Sequence, residues 1–138
     1  MMGEIRVKAR LTNAMDEALA RRGQLPPEKV RTIEVDAMVD TGAVRTVVPP
    51  QVAKELGLEI RGQKVVEYAD GRKEAVGVTE AMIIEIMRRD TEEGALVLGD
   101  EVLVGQTVLE VLDLHADCTN RRLVPNPAHP DQPVTKVK

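Results

Sequence analysis

Residues 33–58 read IEVDAMVDTGAVRTVVPPQVAKELGL, and this stretch decides how the rest of the chain is interpreted. Apolar and polar side chains alternate as far as Val39, which is the period of a half-buried strand. The strand runs directly into Asp-Thr-Gly at positions 40–42, and a second apolar run ends at two prolines. Proline suits the first turn of a helix and glycine suits its end, so residues 50–57 are predicted to form a helix of about two turns.

The segment before this stretch contains one more amphipathic strand and an insertion. Residues 3–11 alternate, with Ile5, Val7, Ala9 and Leu11 on one face, and this pattern again predicts a half-buried strand. Residues 12–29 lack that period. Asn13 is suited to cap a short helix over residues 14–22, and a glycine and two prolines would end it. Residues 12–29 are therefore predicted to be an insertion between two strands.

The segment after it consists mainly of further short strands. Asp70-Gly71 lies between two extended runs, which is a strong hairpin signal. Residues 81–87 are apolar on both faces and predict a central strand, and the polar residues 88–94 are predicted to form the turn after it. The remaining predictions are short apolar runs at 95–98 and 102–104, helical spacing at Val108, Leu109 and Leu112, and a last strand at 122–124.

Length and composition limit the chain to one folded unit. It has 138 residues, 43% of them hydrophobic and 30% charged, so it has enough apolar material for one core. We expect a single all-β domain with one or two short helices over residues 1–125. Prolines recur in residues 126–138, which are expected to be an extended or mobile tail.

Charge and residue usage exclude several classes of partner. The formal net charge is −4 and aromatic residues are 1%, so the chain has neither a global positive field for phosphates nor a stacking surface for bases. Nucleic acid partners are therefore not expected. Membrane partners are not expected either, because no apolar run approaches the ~20 residues that a spanning helix needs. One cysteine and an N-terminus without a secretory apolar run favour a reducing, cytoplasmic location.

Asp40 is the strongest candidate for a catalytic residue, because it places a carboxylate where a buried strand ends in a glycine turn. An aspartate beside a glycine most often caps a turn, and that structural role stays open. The surrounding order of segments nevertheless resembles the retropepsin-like aspartic proteases in their bacterial single-domain form. The similarity extends from residue 4 to residue 127. It includes residues 68–72 at the place of that family's flap hairpin, Leu103-Val104-Gly105 as its second hydrophobic-glycine element, and residues 121–127 as its C-terminal strand.

The resemblance implies a closed β-barrel of the acid-protease fold and a chain that supplies one catalytic aspartate. Two copies would then pair as a homodimer and bring their Asp40 side chains together. Two carboxylates in hydrogen-bond contact cannot both ionise cheaply, so such a dyad shares one proton. The ionised carboxylate takes a proton from water and the protonated one hydrogen-bonds to the scissile carbonyl. The implied function is an aspartic endopeptidase that acts on polypeptides and requires no cofactor and no metal.

The same resemblance implies roles for neighbouring residues. Thr41 and Gly42 would form the scaffold of the active-site loop, with Thr41 bonding across the dimer axis. Ala43 and Val44 would contact substrate. Asp70 and Gly71 would form the tip of a flap that closes over a bound peptide. Leu103, Val104 and Gly105 would form the family's second hydrophobic-glycine element.

Two positions depart together from the viral pattern of the family. Val44 stands where an aspartate often follows Asp-Thr-Gly-Ala, and Gln106 stands where an arginine often follows the second glycine. In viral enzymes those two residues form an ion pair that braces the dimer and the site. Their joint replacement keeps an alternative open, which is a catalytically weak retropepsin-like module for peptide binding or dimerisation.

Other chemically capable side chains favour structural roles. His115, Asp117 and Cys118 lie close in sequence, but a zinc site needs four ligands and the chain has two histidines. Cys118 is expected to be a small buried hydrophobe, and His129 in the tail is expected to be solvated. Apolar residues dominate the candidate pocket walls, so apolar side chains are expected to flank the cut. These wall residues are Val47, Val48, Ile83 and Val104.

Overall fold

The computed structural model describes residues 4–137. These residues form nine strands, three α-helices and one 3₁₀ turn at Pro27–Lys29. The strands are β1 (Arg6–Asn13), β2 (Thr32–Val39), β3 (Val47–Val48), β4 (Ile60–Glu67), β5 (Lys73–Ile86), β6 (Arg89–Val97), β7 (Leu103–Val104), β8 (Leu114–Asp117) and β9 (Arg122–Pro125). The helices are α1 (Ala14–Arg21), α2 (Pro50–Glu55) and α3 (Gln106–Leu112). The fold is mostly β as predicted, with one α-helix more than the expected one or two.

Strand pairing closes the main sheet into a ring. The strand order is β1-β2-β7-β3-β6-β5-β4, and β1 also pairs with β5, so six of the seven strands have a neighbour on both sides. The seventh strand, β4, joins the N-terminal half of β5 outside the ring. Closure pairs the backbone groups that an open sheet would leave at its edges. This pairing agrees with the closed, barrel-like sheet predicted from the sequence.

The core inside this ring is aliphatic, because the chain contains no Phe and no Trp. Leu11, Met82 and Ile84 are completely buried on neighbouring strands β1 and β5. Burying a side chain of this size contributes about 1.5–3 kcal/mol of hydrophobic stabilisation. The alternation predicted for the first strand is present, since Ile5, Ala9 and Leu11 all face the core.

Side-chain hydrogen bonds hold both ends of the insertion between β1 and β2. Asn13 caps α1 by accepting a hydrogen bond from the backbone N–H of Asp16, and its own Nδ2 donates to the Leu56 carbonyl at 2.8 Å. Asp16 in turn receives two hydrogen bonds from the Arg31 guanidinium, at 2.8 and 3.0 Å. These bonds lower the pKa of the Asp16 carboxyl. The predicted helix and its cap are therefore present.

The turn after the central strand is shorter than predicted. Residues 88–94 were expected to form it, but β6 begins at Arg89 and the chain reverses at Met87 and Arg88 alone. Both residues have positive φ angles, 54° and 65°, as the two central positions of a type I′ hairpin turn require. The turn contains no Gly, Asn or Asp, which explains why sequence preferences did not locate it.

The proline-rich segment after β9 turns at residues 126–129 and is hydrogen-bonded to the domain. Asp113, which follows α3, is the centre of this attachment. Its carboxylate accepts from Asn126 Nδ2 at 2.9 Å and from the Val134 backbone N–H at 3.1 Å, and it lies 2.6 Å from Nδ1 of His129. The buried Arg89 side chain also donates to the His129 carbonyl. His129 is therefore held against the domain rather than freely solvated.

Candidate active site

Asp40 lies at the end of β2, at the opening of an exposed loop. Its backbone N–H donates to the Val104 carbonyl at 3.0 Å, and its carbonyl accepts from the Ala43 N–H at 3.1 Å. Its carboxylate Oδ1 accepts from the Gly42 N–H at 3.0 Å, which is a turn-capping contact. The other oxygen, Oδ2, has no hydrogen-bond partner within residues 4–137. The carboxylate is thus oriented by one oxygen and available through the other.

The hydrophobic-glycine element at Leu103-Val104-Gly105 lies directly behind this loop. β7 runs parallel to β2, with Leu103 opposite Met38 and Val104 opposite Val39. After β7 the chain forms a further hydrogen bond to the loop, in which the N–H of Gln106 donates to the Ala43 carbonyl at 2.8 Å. Two segments that are about 60 residues apart in sequence are therefore joined by backbone hydrogen bonds.

Gly105 permits this close approach. A Cβ atom at position 105 would lie 2.7 Å from the backbone carbon and oxygen of Arg45, and 2.9 Å from the Val44 carbonyl oxygen. Side chains do not tolerate backbone contacts of that length. Glycine is therefore required where the loop and the N-terminus of α3 meet.

Glu93 on β6 links the loop to α3 and was not identified from the sequence. Its Oε2 accepts from the Thr46 backbone N–H at 3.0 Å, and its Oε1 accepts from Thr107 Oγ1 at 2.9 Å. One carboxylate thus ties the end of the Asp40 loop to the first turn of the helix. Position 93 falls in the segment predicted to be a turn, so no sequence signal marked it.

Within residues 4–137 no side-chain hydrogen bond joins Val44 and Gln106, the two positions that depart from the viral pattern. Val44 is 68% exposed. Gln106 Nε2 donates to Glu110 Oε1 at 3.3 Å, one turn further along α3. The backbone N–H of Thr107 bonds to the Val44 carbonyl at 3.1 Å, so only main-chain contacts join the two segments at this point. The Glu93 bridge supplies the side-chain link at this end of the loop.

A tight hairpin connects β4 to β5 at the predicted position. The Tyr68 N–H donates to the Arg72 carbonyl at 2.8 Å, and Gly71 takes a positive φ of 88°. Asp70 accepts from the Arg72 backbone N–H and from its guanidinium, at 3.0 and 2.7 Å, and these bonds lower its pKa. The Arg72 guanidinium also lies 4.8 Å from the centre of the Tyr68 ring. No hydrogen bond within residues 4–137 joins this hairpin turn to the Asp40 loop.

A cavity of about 250 Å³ lies between the segment after Asp40 and the hairpin strands. Arg45, Arg61 and Lys64 contribute to its lining, so its charged groups are basic. The apolar wall residues expected from the sequence do not line this cavity, because Val47, Val48 and Val104 are at most 6% exposed and belong to the core. Ile83 is half-buried on β5 and is not among the lining residues.

Three other groups that the sequence singled out lie away from this site. Cys118 is exposed, contrary to expectation, because it falls in the turn between β8 and β9. Asp117 accepts two hydrogen bonds from Asn120, which lower its pKa, and His115 is exposed. Within residues 4–137 no cluster of three or more potential metal ligands occurs. In the same part of the chain, no helix is long and apolar enough to cross a membrane.

Comparisons with known proteins agree with this geometry. The structure is similar to the crystal structure of the retroviral protease-like domain of Ddi1 from Leishmania major, with a TM-score of 0.55. The match covers 92% of this chain and 91% of that one at 14% sequence identity, so it establishes the fold alone. No curated protein matches the sequence. The family described as gag-polyprotein putative aspartyl protease matches residues 29–111, which include the Asp40 loop, the β4–β5 hairpin and the hydrophobic-glycine element. The chain has a retropepsin-like fold and belongs to this family of aspartyl proteases.

Proposed function

We propose that the chain is an aspartic endopeptidase whose active site forms when two copies pair, each contributing Asp40. The carboxylate of Asp40 carries the proposal, because one oxygen is anchored by Gly42 and the other has no partner within residues 4–137. The chain contains one Asp-Thr-Gly sequence, so a single copy supplies one carboxylate of the dyad that the family's chemistry requires.

The exposure of the loop is consistent with pairing across it. Thr41 and Gly42 are exposed, and the neighbouring Val44 side chain is 68% exposed. In a homodimer with two-fold symmetry the same loop of both copies would meet at the axis. Thr41 would hydrogen-bond across that axis and hold the two loops at a fixed separation.

The chemistry of the paired site follows from two carboxylates in contact. They share one proton, because ionising both would place two like charges within hydrogen-bond distance. The ionised carboxylate accepts a proton from a water molecule, which attacks the scissile carbonyl carbon. The protonated carboxylate donates a hydrogen bond to the carbonyl oxygen and stabilises the charge that develops there. The C–N bond of the resulting tetrahedral intermediate then breaks, and the leaving nitrogen takes a proton from the dyad, so every proton transfer uses the two Asp40 carboxyl groups and water.

The remaining site residues would position the substrate. A peptide bound in extended form would lie between the Asp40 loop, with Ala43 and Val44 at its surface, and the β4–β5 hairpin. The hairpin tip at Asp70 and Gly71 would cover the peptide, add main-chain hydrogen bonds and exclude water from the dyad. The 88° φ of Gly71 gives this tip a tight turn that a residue with a side chain rarely adopts.

A second candidate function is a module that binds peptides or dimerises with little turnover. The observation that favours it is the absence of a side-chain link between Val44 and Gln106, since Gln106 bonds to Glu110 instead. Both candidates predict a dimer and a peptide-binding cleft. They differ in whether Asp40 is needed for hydrolysis.

The test is hydrolysis of a diverse peptide pool between about pH 4 and pH 7 by the wild type and by Asp40→Asn. Asparagine keeps an oxygen that accepts from the Gly42 N–H, so the loop retains its shape while the dyad loses its shared proton. We expect the variant to lose at least about a thousandfold in kcat/KM with an unchanged melting temperature.

The matched control is Asp36→Asn, which removes an exposed carboxylate from the same strand. It should cleave like the wild type. Undiminished hydrolysis by Asp40→Asn would refute the protease proposal. A folded wild-type dimer that binds peptides and cuts none of them would favour the module.

A further inference from the structure

The cavity beside the Asp40 loop has a composition that the proposed chemistry does not explain. It is lined by Arg45 from the segment after Asp40, by residues 61–64 of β4, by Val78, Thr79 and Ala81 of β5 and by Gly94 of β6. It therefore lies between the catalytic loop and the base of the hairpin. We name this cavity the basic pocket, after its three cationic lining residues Arg45, Arg61 and Lys64.

The basic pocket is positively charged, whereas the chain as a whole is negatively charged. Its lining contains three cations and no carboxylate, although the chain as a whole has a net charge of −4. None of the ion pairs within residues 4–137 involves these three side chains. Two arginines on the neighbouring strand β1 are paired, in contrast: Arg6 with Glu4 and Glu101, and Arg10 with Glu85. Clustered cations repel one another, so this arrangement favours an anionic partner.

The backbone under the pocket is irregular in a way that shapes it. The pairing of β4 with β5 shifts between Ile60 and Gly62, and the pairing of β5 with β6 shifts between Val78 and Ala81. Both irregularities lie at lining residues. At the second shift, Gly94 passes so near the Thr79 carbonyl that a Cβ would stand 2.5 Å from its oxygen. Bulges of this kind redirect side chains and occur often beside functional sites.

We propose that the basic pocket receives an acidic side chain of the polypeptide substrate and makes the enzyme selective for peptides with Glu or Asp near the cut. This inference rests on the proposed endopeptidase function. A peptide that lies as an extended strand between the hairpin and the Asp40 loop presents alternate side chains to opposite faces. A side chain that points toward the hairpin base would meet the three cations, and the arginine fork binds a carboxylate through two parallel hydrogen bonds.

The experiment compares matched peptides that differ by Glu or Gln at single positions on either side of the cleaved bond. At low ionic strength the wild type should cleave the best Glu peptide about tenfold more efficiently than its Gln counterpart. This ratio should shrink toward one as salt screens the charges. In Arg45→Gln/Arg61→Gln/Lys64→Gln the ratio should fall to about one even at low salt.

A control variant separates the pocket from net charge. Arg22→Gln/Lys29→Gln/Lys54→Gln removes the same three charges from exposed positions outside the pocket, and it should keep the wild-type preference. A charge reversal gives the converse result, because Arg45→Glu should shift preference toward peptides with Lys at the selected position. Equal cleavage of Glu and Gln peptides by the wild type would overturn the inference while leaving the protease proposal standing.

Binding to Asp40→Asn tests the pocket without turnover. Fluorescence anisotropy should show tighter binding of the labelled Glu peptide, and the preference should vanish when the three pocket substitutions are added. This result would support the basic pocket even if no cleavage were found. If a single-stranded oligonucleotide bound instead, with the same dependence on the three cations and no preference for acidic peptides, the inference would be wrong.

Discussion

Gly105 shows how a single residue without a side chain can hold a candidate active site together. Backbone atoms of Val44 and Arg45 occupy the space that a Cβ would need, and the next two N–H groups bond to the Asp40 loop. This close approach involves main-chain atoms, so any residue with a Cβ at position 105 would clash whatever its rotamer.

Replacement of this glycine should damage both stability and function. Gly105→Ala would force β7 and α3 away from the loop, and we expect it to lower the free energy of unfolding by about 1–3 kcal/mol. Denaturant titration measures this loss. Gly62→Ala is the control, because no atom lies within 4 Å of its added Cβ and its φ is not positive. Equal stability of the two variants would show that the close approach is not rigid.

For single residues, the sequence predicts a functional role when the residue belongs to a short motif of adjacent positions. Asp40, Gly42 and Gly105 were identified because each belongs to a short motif. Glu93 and the three pocket cations were missed, since their significance arises from contacts between segments far apart in sequence. Cys118 was expected to be buried, and it is exposed because its place in a β-turn determines its environment.

At the scale of elements, β6 carries more of the site than its sequence indicates. It pairs with β5 on one side and with β3 on the other, and it presents Glu93 to the end of the Asp40 loop. Period-2 patterning located β1 and β2, and a run that is apolar on both faces located the centre of β5. The first half of β6 is polar and follows a turn without Gly or Asn, so the same pattern failed there.

The Glu93 bridge should matter for catalysis as well as for stability. Glu93→Ala removes both acceptors and should lower the unfolding free energy by about 1–3 kcal/mol and also reduce kcat. Glu93→Gln should restore most of both, because its oxygen can accept from the Thr46 N–H while its amide donates to the Thr107 hydroxyl. Glu92→Ala, on the same strand and exposed, is the control. If Gln and Ala lowered kcat equally, Glu93 would not act by holding the loop in position.

At the scale of the molecule, the C-terminal segment and the closed sheet form one unit. Buried Arg89 donates to the carbonyls of Leu112, Asp113 and His129, so one guanidinium joins the end of α3 to the proline-rich segment. Cationic groups at a helix C-terminus are stabilised by the helix dipole. The sequence predicted an extended or mobile tail, because Arg89 and Asp113, the partners that bind it, lie outside the tail.

Attachment of this segment should depend on pH through Asp113. Hydrogen bonds from the Asn126 amide, the Val134 N–H and the His129 ring lower the Asp113 pKa from 3.8 to about 2. A lowered pKa means that the folded state favours the carboxylate, so its stabilisation is complete above about pH 4 and is lost as the pH falls toward 2. The amide chemical shift of Val134 should report this release. Asp113→Asn should abolish the pH response between about pH 4 and pH 2. The control variant, Asp131→Asn, should retain this response. If the response persisted in Asp113→Asn, it would arise from another group.

Two chains are proposed to build one active site, and subunit mixing tests this arrangement most directly. Asp40→Asn protein is added in increasing amounts to a fixed concentration of wild type under conditions of subunit exchange, and peptide cleavage is followed. Because mixed dimers have one carboxylate only, an equal amount of variant should reduce activity to about half and a ninefold excess to about a tenth. Activity that stays constant as the variant is added would mean that each chain works alone, and it would contradict the account.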